Sequence, residues 1–396
     1  MRTEDRSAEA RRGMLVEFTR PELDEDTIAE AMACLRSGWV VSGPRVRAFE
    51  SMLAERVRAE HVRCVSGCTS ALLLALRLLG IGRGDEVLVP TLTFAACANV
   101  IEQLGAIPVL VDSEPSTGLV DLDDAARRLT PRTRALIAVH LGGRPVDMDR
   151  LKALRNAHGI AIVEDAAHAI GAEWGGRPIG GHGNLTAFSF HATKNITTIE
   201  GGALALADQS DAERARRLSF QGLDRSAWDR RHAPGPTDYE LYEPGYKLAM
   251  TDLAAAMGMA QLGRLDEWIE RREELAARYD EALADLPLEL EPPVGLGTRH
   301  ARHLYALRVR PDAPVTRDEL AADLAGRGIG TSIHFKPLHS FRYYAARYEL
   351  TDDDFPVASD FSSRTISLPL FPGLTEGEQA EVIDAMRASL LSGSSL

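Results

Sequence analysis

Between residues 60 and 206 the chain alternates short apolar runs with amphipathic stretches, and this pattern restricts the folds open to it. Seven apolar runs predict strands over 62–65, 86–90, 108–112, 135–140, 161–164, 187–190 and 203–206. Helical periodicity separates the earlier runs, over 70–79, 94–104 and 148–157. Strands that alternate with helices indicate an α/β fold whose mostly parallel sheet is covered on both faces. The last two runs leave no room for a crossover helix, so we expect at least one of them to be antiparallel.

The second half of the chain predicts a smaller, separate unit. Residues 251–285 predict one long helix, with Thr251 or Asp252 as its N-cap, and a helix of that length would bridge two domains. Beyond it come a strand-like run over 304–310, a helix near 317–326 and a closing helix near 375–391. We therefore expect a disordered tail over 1–14, a large domain over 15–260, and a bridging helix with a small C-terminal α+β domain over 261–396.

Charge and composition argue against several functional classes. Acidic residues outnumber basic ones by 58 to 45, which gives a net charge of -13 and does not favour a nucleic-acid binder. Apolar runs stay well short of the ~20 residues of a membrane span, and the charged N-terminus does not resemble a signal peptide. The four cysteines show no CxxC spacing, so we expect neither a disulfide scaffold nor a zinc or other metal site, but reduced thiols in a cytoplasmic protein.

Lysine is scarce, and this scarcity narrows the search for amine chemistry. Only four of the 45 basic residues are lysines, namely Lys152, Lys194, Lys247 and Lys336. None of them follows a glycine, so a phosphate-binding loop that ends in Gly-Lys-Ser/Thr is excluded. Any reaction that requires a lysine amine has to use one of these four side chains.

Lys194 has the surroundings that a Schiff-base lysine needs. The segment FSFHATKNITTIEGG brings Ser189 and His191 from a strand into a polar turn before Lys194, without nearby carboxylates. A strand-end position, a lowered pKa and hydroxyls for a cofactor phosphate suit a Schiff base. The alternative is an ordinary exposed lysine after a strand.

Three other segments carry candidate groups. Asp165 ends the buried strand of GIAIVEDAAHAIG, where a carboxylate can pair with a cationic ring nitrogen or simply cap a helix. Thr69 lies in a strand–turn–helix segment that can hold an anion on free backbone N–H groups, or be a common N-cap. Phe94 lies at a strand-to-helix junction, where its ring can stack on a planar cofactor or pack in the core.

Together these segments closely resemble the DegT-type (DegT/DnrJ/StrS) sugar aminotransferases, from about residue 18 to 386. The resemblance rests on several motifs in the order of that family, which are SGWVVSGPRVRAFE, PTLTFAACANVIEQLGAIPVLVD, VEDAAHAIGA, SFHATKNITTIEGGAL, PGYKLAMTDLAAAMGMAQLGRLDE, TSIHFKPLH and SLPLFPGLTEGE. It implies the aspartate-aminotransferase-like (type I) fold, with pyridoxal 5'-phosphate (PLP) as cofactor, a mostly parallel seven-stranded sheet in the large domain, and a homodimer with shared active sites.

The resemblance also implies roles by position. Lys194 matches the lysine that forms the internal aldimine and moves the proton, and Asp165 matches the partner of the pyridine nitrogen. His168 stands where the family has Gln or His near the phenolic oxygen of the cofactor. Phe94 matches the aromatic residue stacked on the ring. The phosphate-binding hydroxyls are matched by Thr69 and Ser189, with backbone help around Cys68.

One motif departs from the family, which often has GYNYRM or GYKYNM where this chain has GYKLAM. In the second form the asparagine reaches a cofactor phosphate across the dimer interface, and Ala249 cannot supply that contact. Lys247 agrees with the second form and either reaches a phosphate instead or is an exposed lysine. This motif resembles the subgroup that aminates C4 of nucleotide-linked 4-keto sugars. Candidate residues for the substrate are His191, Arg225, His334 and Lys336.

The resemblance thus implies ping-pong transamination from L-glutamate to a nucleotide-linked keto sugar, at C4 of a dTDP- or UDP-4-keto-6-deoxyhexose. A 3-keto sugar or a cyclitol ketone is the alternative acceptor. A PLP-binding regulatory protein without catalysis is the non-enzymatic alternative. Family members that act as sugar dehydratases replace the lysine with histidine, so Lys194 argues against that activity.

Overall fold

The computed structural model describes residues 15–234 and 238–391, so the tail expected over 1–14 lies outside the described residues. Within them the chain forms twelve strands. These are β1 (His61–Val65), β2 (Glu86–Pro90), β3 (Ile107–Val111), β4 (Thr133–Val139), β5 (Ala161–Asp165), β6 (Glu173–Trp174), β7 (Arg177–Pro178), β8 (Leu185–Ser189), β9 (Gly202–Leu206), β10 (Leu288–Glu289), β11 (Tyr305–Val309) and β12 (Thr365–Leu368).

The described helices surround these strands. They are α1 (Glu25–Arg36), α2 (Pro44–Val57), α3 (Cys68–Leu78), α4 (Ala96–Gln103), α5 (Leu122–Arg127), α6 (Met148–His158), α7 (Gln209–Leu218), α8 (Ala227–His232), α9 (Asp252–Gly263), α10 (Leu265–Leu283), α11 (Arg317–Gly326), α12 (Arg342–Tyr348), α13 (Pro356–Arg364) and α14 (Glu376–Leu391). Among the described residues no helix combines the length and the apolar character needed to cross a bilayer.

The central sheet has the strand order β1-β9-β8-β5-β4-β2-β3. The pairs from β8 to β3 are parallel, and β9 runs antiparallel to both β8 and β1. The mostly parallel seven-stranded sheet and the antiparallel strand at the end of the predicted series are thereby confirmed. The apolar run of β2 is buried throughout, as expected for a strand that is covered on both faces.

Local signals explain why helices begin and end where they do. Asp147 accepts hydrogen bonds from the backbone N–H groups of Asp149 and Arg150 at the start of α6. Gly159 ends the same helix in the left-handed region, at φ +67°, where glycine carries no Cβ penalty. The predicted N-cap of α9 is confirmed as Thr251, whose hydroxyl accepts from the Ala254 N–H.

The long helix predicted over 251–285 is interrupted, which corrects the sequence expectation. It divides into α9 and α10 at Arg264, whose backbone lies at φ -100° and ψ -3°. Gly263, a weak helix former, precedes the break. The guanidinium of Arg264 then binds Asp24 at 2.9 Å and Glu267 at 2.6 Å, which holds the chain in this geometry.

A second, smaller sheet has the order β10-β11-β12 and is antiparallel. It has its own apolar core, in which Tyr279 and Leu283 of α10 pack with strand and C-terminal helix residues such as Ile366 and Met386. A cavity lies at the carboxyl ends of β5 and β8 in the large sheet. The segments next to β11 and β12 also line this cavity, through residues such as His303 and Leu370. That edge of a parallel sheet is where ligands bind in such folds.

Candidate active site

A cavity of about 510 Å³ lies at the carboxyl ends of β5 and β8. The structure brings together nine of the side chains predicted from the sequence to form the site. These are Cys68, Thr69, Phe94, Asp165, His168, Ser189, His191, Lys194 and His334. They come from separate parts of the chain. They converge because β5 and β8 end, and α3 begins, at the same edge of the large sheet.

Asp165 is the last residue of β5, and its carboxyl group is held from three sides. The Ala167 N–H donates to Oδ1 at 3.0 Å, and the Cys97 thiol donates to Oδ2 at 3.0 Å. The Cys68 Sγ lies 3.7 Å from Oδ1. Burial, together with the charge of Asp165, raises the pKa of both thiols well above the usual value, so they remain protonated donors.

Lys194 lies in the cavity wall and is half-buried. Its backbone N–H bonds the carbonyl of His191 at 2.9 Å, which closes the turn after β8. Removal from water lowers the pKa of the amine to about 8, against the opposing charge of Asp165. A substantial fraction of the amine is therefore neutral near pH 8, and the neutral amine is the nucleophile in Schiff-base formation.

His168 is buried beside Lys194, and its ring has a defined tautomer. The Gly142 N–H donates to Nδ1 at 3.1 Å, so Nδ1 is an acceptor and the proton of the neutral ring lies on Nε2. Burial and the positive charge of Lys194 lower the pKa of His168 well below the usual value. His168 therefore offers an N–H donor, and its ring stacks on Phe335 with centroids 5.9 Å apart.

The start of α3 lines the cavity with backbone that can bind an anion. Gly67 precedes the helix without a side-chain cap, and in the described part of the chain no group accepts from the N–H groups of Thr69 or Ser70. A Cβ on Gly202 would lie 2.6 Å from the Cys68 nitrogen, so glycine allows β9 to approach this turn. The free N–H groups and the positive end of the helix dipole favour a phosphate here.

Phe94, His191 and His334 complete the set. The Phe94 ring is 61% exposed and lies 6.0 Å from that of Phe335, so it presents an aromatic face to the cavity rather than to the core. The Nδ1 atom of His191 contacts the Thr193 hydroxyl at 2.9 Å. His334 contacts the Ser367 hydroxyl at 2.9 Å, and its burial near Lys194 lowers its pKa to about 4.

Three predicted residues are not among those that line the cavity. The Lys247 amine lies over the Phe220 ring at 5.0 Å, and the Lys336 amine lies over the Phe341 ring at 5.1 Å. Arg225 is exposed on the segment that leads into α8. All three are surface side chains of the single chain.

The structure also adds residues that sequence reasoning missed. Cys97 reaches Asp165, and Asn195, His303 and Phe335 lie on or behind the cavity wall. The position of Asn195 directly after Lys194 is a signal that could have been used. His303 is separated from Lys194 by more than a hundred residues, and an isolated histidine before a strand carries no local pattern that identifies it.

The residues present fit PLP, the cofactor that the sequence resemblance implies. Its ring nitrogen requires an acidic partner, which Asp165 can provide, and its carbonyl requires an amine, which Lys194 can provide. Its phosphate matches the free N–H groups at Thr69 and Ser70, with the Ser189 hydroxyl at the same end of the cavity. Phe94 supplies the aromatic surface for the ring.

Comparison with known proteins identifies the family of the chain. Residues 21–387 match the DegT/DnrJ/EryC1/StrS aminotransferase family. The spore coat polysaccharide biosynthesis protein SpsC of Bacillus subtilis is 42% identical over 379 residues, which cover 95% of this chain and 97% of SpsC.

Solved structures are similar over the same extent. A proposed sugar aminotransferase of Streptococcus pneumoniae, Spr1654, in its PMP form has a TM-score of 0.89 at 32% identity, covering 96% of this chain and 100% of that chain. The PLP form of Spr1654 has a TM-score of 0.88 at 31% identity, covering 96% and 99%.

Proposed function

The chain belongs to the DegT/DnrJ/EryC1/StrS aminotransferase family and is a PLP-dependent sugar aminotransferase, and we propose that it transfers the amino group of L-glutamate to a nucleotide-linked keto sugar. The observation that carries the proposal is the placement of Lys194, with its lowered pKa, and Asp165 in one cavity. The acceptor is C4 of a dTDP- or UDP-4-keto-6-deoxyhexose. The GYK sequence over 245–247, which resembles the 4-keto subgroup, supports this choice.

Lys194 carries the proton in both halves of the reaction. When bound, PLP supplies an electron sink that stabilises negative charge on the carbon that loses its proton. Lys194 is the residue whose amine would hold the cofactor covalently before the amino donor binds. The free amine then removes a proton from the donor carbon and delivers one to the sugar carbon. A pKa of about 8 suits both directions, because the group accepts and releases a proton near neutral pH.

Asp165 and His168 hold the cofactor in its reactive state. Asp165 would pair with the ring nitrogen, and a negative partner favours the protonated nitrogen. The Nε2–H group of His168 would donate to the phenolic oxygen. Because a neutral imidazole donates without adding charge, His168 would orient this oxygen while staying uncharged near neutral pH.

The remaining site residues would bind the cofactor and the sugar substrate. Cys68, Thr69 and Ser189 hold the phosphate, and Phe94 stacks on the ring. Among substrate-binding residues, His191 and His334 lie in the cavity. Arg225 and Lys336 are exposed cations that would counter the diphosphate of a sugar nucleotide, because an acidic chain has to gather positive charge locally.

We also propose that two copies of the chain pair to complete the sites. An apolar groove runs along α1 and the start of α9, beside residues 198–200. It is lined by Leu23, Thr27, Ile28, Ala31, Met32, Leu35, Ser66, Thr198, Ile199, Glu200, Ala249, Met250, Thr251, Leu253, Ala254 and Met257. Exposed apolar surface of this kind marks an interface. Glu200 lines both the groove and the cavity, so a partner seated there reaches the active site.

This pairing gives Lys247 a route to a cofactor phosphate. Lys247 lies two residues before Ala249, which lines the groove. Its amine is outside the cavity of its own chain, so it would serve the site of the second copy.

All four cysteines are unpaired in the structure, which supports our placement of the protein in the reducing cytoplasm.

The experiment uses the holoenzyme and follows each half of the reaction separately. L-glutamate alone is expected to convert the visible PLP spectrum to that of PMP, and a keto sugar nucleotide is expected to restore it. The panel contains dTDP- and UDP-4-keto-6-deoxyhexoses, their 3-keto isomers and a cyclitol ketone, with product mass and NMR to identify the aminated carbon. Restoration by 3-keto sugars or the cyclitol alone would overturn the C4 assignment, and restoration by no member would overturn the substrate class.

A further inference from the structure

His303 is a second buried imidazole in the wall of the active site. It lines the same cavity as Lys194, and its ring centroid lies 4.3 Å from that of His168. It comes from the segment before β11, far in sequence from the lysine. The mechanism described above assigns it no task, although a buried polar ring normally has hydrogen-bond partners.

The hydrogen bonds of Asn195 determine which nitrogen of His303 carries the proton. The Asn195 Nδ2 donates to the Ala301 carbonyl at 2.6 Å, and a carbonyl can only accept, so the amide orientation is settled. The Asn195 Oδ1 then faces His303 Nδ1 at 3.2 Å, and this contact is a hydrogen bond only if Nδ1 is protonated. Burial, followed by the nearby His168 and Lys194, lowers the pKa of His303 well below its usual value, so the ring is neutral. Nε2 therefore carries a lone pair, and the only side-chain hydrogen bond of His303 within 15–234 and 238–391 is the one at Nδ1, so Nε2 is available in the cavity wall.

The two adjacent imidazoles thus have opposite tautomers. His168 accepts at Nδ1 from the Gly142 N–H and offers a donor, whereas His303 donates at Nδ1 and offers an acceptor. The same Gly142 contacts both residues, because its carbonyl accepts from the backbone N–H of His303 at 3.0 Å. The backbone of Gly142 adopts φ +66°, a conformation that residues other than glycine rarely take. The two hydrogen bonds of Gly142 therefore depend on glycine at this position.

The backbone of His303 is held firmly in place. The Arg272 guanidinium, which is buried, donates to the carbonyls of His303 at 3.4 Å and Leu370 at 2.7 Å. The preceding Arg302 adopts φ +47°, which is unfavourable for arginine, and its side chain is held by Glu273 at 2.6 Å. Backbone strain that the surroundings maintain is concentrated at functional sites.

We propose that His303 is a substrate-binding residue, whose Nε2 accepts a hydrogen bond from a sugar hydroxyl next to the carbonyl that is aminated. This inference rests on the proposed function. The two substrates use one site in turn, and they differ in what they offer to a lone pair. Apart from its reacting amine, L-glutamate presents carboxylates, which only accept hydrogen bonds. A keto sugar presents hydroxyls, which donate. His303 is therefore suited to the sugar and not to the amino donor.

The test compares the half-reactions of holoenzyme variants. His303→Phe keeps a planar ring against His168 but removes the acceptor, and His303→Gln supplies an amide oxygen instead. The probes are L-glutamate, dTDP-4-keto-6-deoxyglucose and its 3-deoxy counterpart. The natural protein is expected to prefer the hydroxylated sugar about tenfold in kcat/KM, as a neutral hydrogen bond allows. His303→Phe abolishes this preference, His303→Gln retains part of it, and both keep the glutamate half-reaction unchanged.

Two results would overturn the inference, namely an unchanged sugar preference in His303→Phe or an equal loss in the glutamate half-reaction. A direct measurement covers the cases in which a variant does not fold or neither sugar reacts. In the ¹⁵N-histidine NMR spectrum of the natural holoenzyme, the His303 ring is expected to be protonated at Nδ1 and unprotonated at Nε2. Protonation at Nε2 would rule out the acceptor role. Failure of the natural protein to use either sugar, with the expected tautomer present, would count against the proposed substrate class alone.

Discussion

The Cys97 thiol donates a hydrogen bond to the Asp165 carboxyl group, with Sγ and Oδ2 3.0 Å apart. The Thr93 hydroxyl contacts the same sulfur at 3.4 Å, so the thiol links α4 to the end of β5. Its raised pKa keeps the thiol protonated and therefore able to donate. This contact orients the carboxylate that we assign to the ring nitrogen of the cofactor.

Replacing Cys97 by alanine should weaken cofactor binding about fivefold, because Asp165 loses a donor worth about 1 kcal/mol. Cys97→Ser retains a donor and should stay close to the natural protein. The measurement is the Kd for PLP from the visible spectrum. Cys34→Ala is the matched control, since the buried Cys34 thiol bonds the Trp39 carbonyl at 3.5 Å instead. Equal effects of Cys97→Ala and Cys34→Ala would contradict the role of the contact.

The two adjacent acids at the end of β5 should respond differently to neutral substitution. Asp165→Asn removes the charged partner of the ring nitrogen, and turnover should fall about 10- to 150-fold, which corresponds to roughly 1.5–3 kcal/mol. Glu164 points to the opposite face of the sheet, where it bonds His140 at 3.0 Å and Asn184 at 2.8 Å. Glu164→Gln should lower the thermal midpoint and leave turnover within a few-fold. Steady-state kinetics and thermal denaturation separate the two effects, and a greater loss of turnover in Glu164→Gln would contradict the assignment.

The sequence allowed much of the sheet to be predicted, because strands that are buried on both faces form continuous apolar runs. The run over 86–90 matches β2 at both ends, and the run over 161–164 misses only Asp165 of β5. The break at Arg264 was not predicted, since it depends on its ion pairs with Asp24 and Glu267, one of them distant in sequence.

Residues of the site that lie close to a strand end could be predicted, and residues that reach it through tertiary contacts could not. Asp165 ends β5 and Lys194 follows β8, at the edge where parallel strands place ligands. Cys97 and His303 act through bonds to partners from other elements, and nothing local distinguishes them, whereas Asn195 directly follows Lys194 in sequence. Arg225, Lys247 and Lys336 lie outside the cavity of the single chain, so their assignment to phosphate groups stays a prediction.

Covalent attachment of PLP to the cofactor-free protein should follow the titration of Lys194. Only the neutral amine attacks, and its pKa is lowered to about 8, so the attachment rate should rise between about pH 7 and 9 and then level off. Stopped-flow absorbance gives this profile. Lys152→Arg, a change at an exposed lysine of α6, should leave it unaltered. A rate that keeps rising toward the ordinary lysine value of 10.5 would contradict the lowered pKa.

Introducing a charge into the apolar groove should separate the proposed dimer. Ile28 on α1 is 46% exposed and lines this groove, so Ile28→Asp would place a carboxylate in the interface. Leu296→Asp is the control, because Leu296 is fully exposed outside the groove. Sedimentation should show a dimer for the natural protein and Leu296→Asp, and a monomer for Ile28→Asp. A natural protein that sediments as a monomer would overturn the pairing.

Lys194→Ala tests the central assignment most directly. Because no other lysine lines the cavity, we expect this variant to bind PLP without the visible absorbance of a lysine-bound cofactor. Transfer of the amino group from L-glutamate to the keto sugar that the natural protein accepts should then fall to background. Lys152→Arg, measured alongside, should retain both. A Lys194→Ala protein that catalyses the complete transfer at the natural rate would contradict the account.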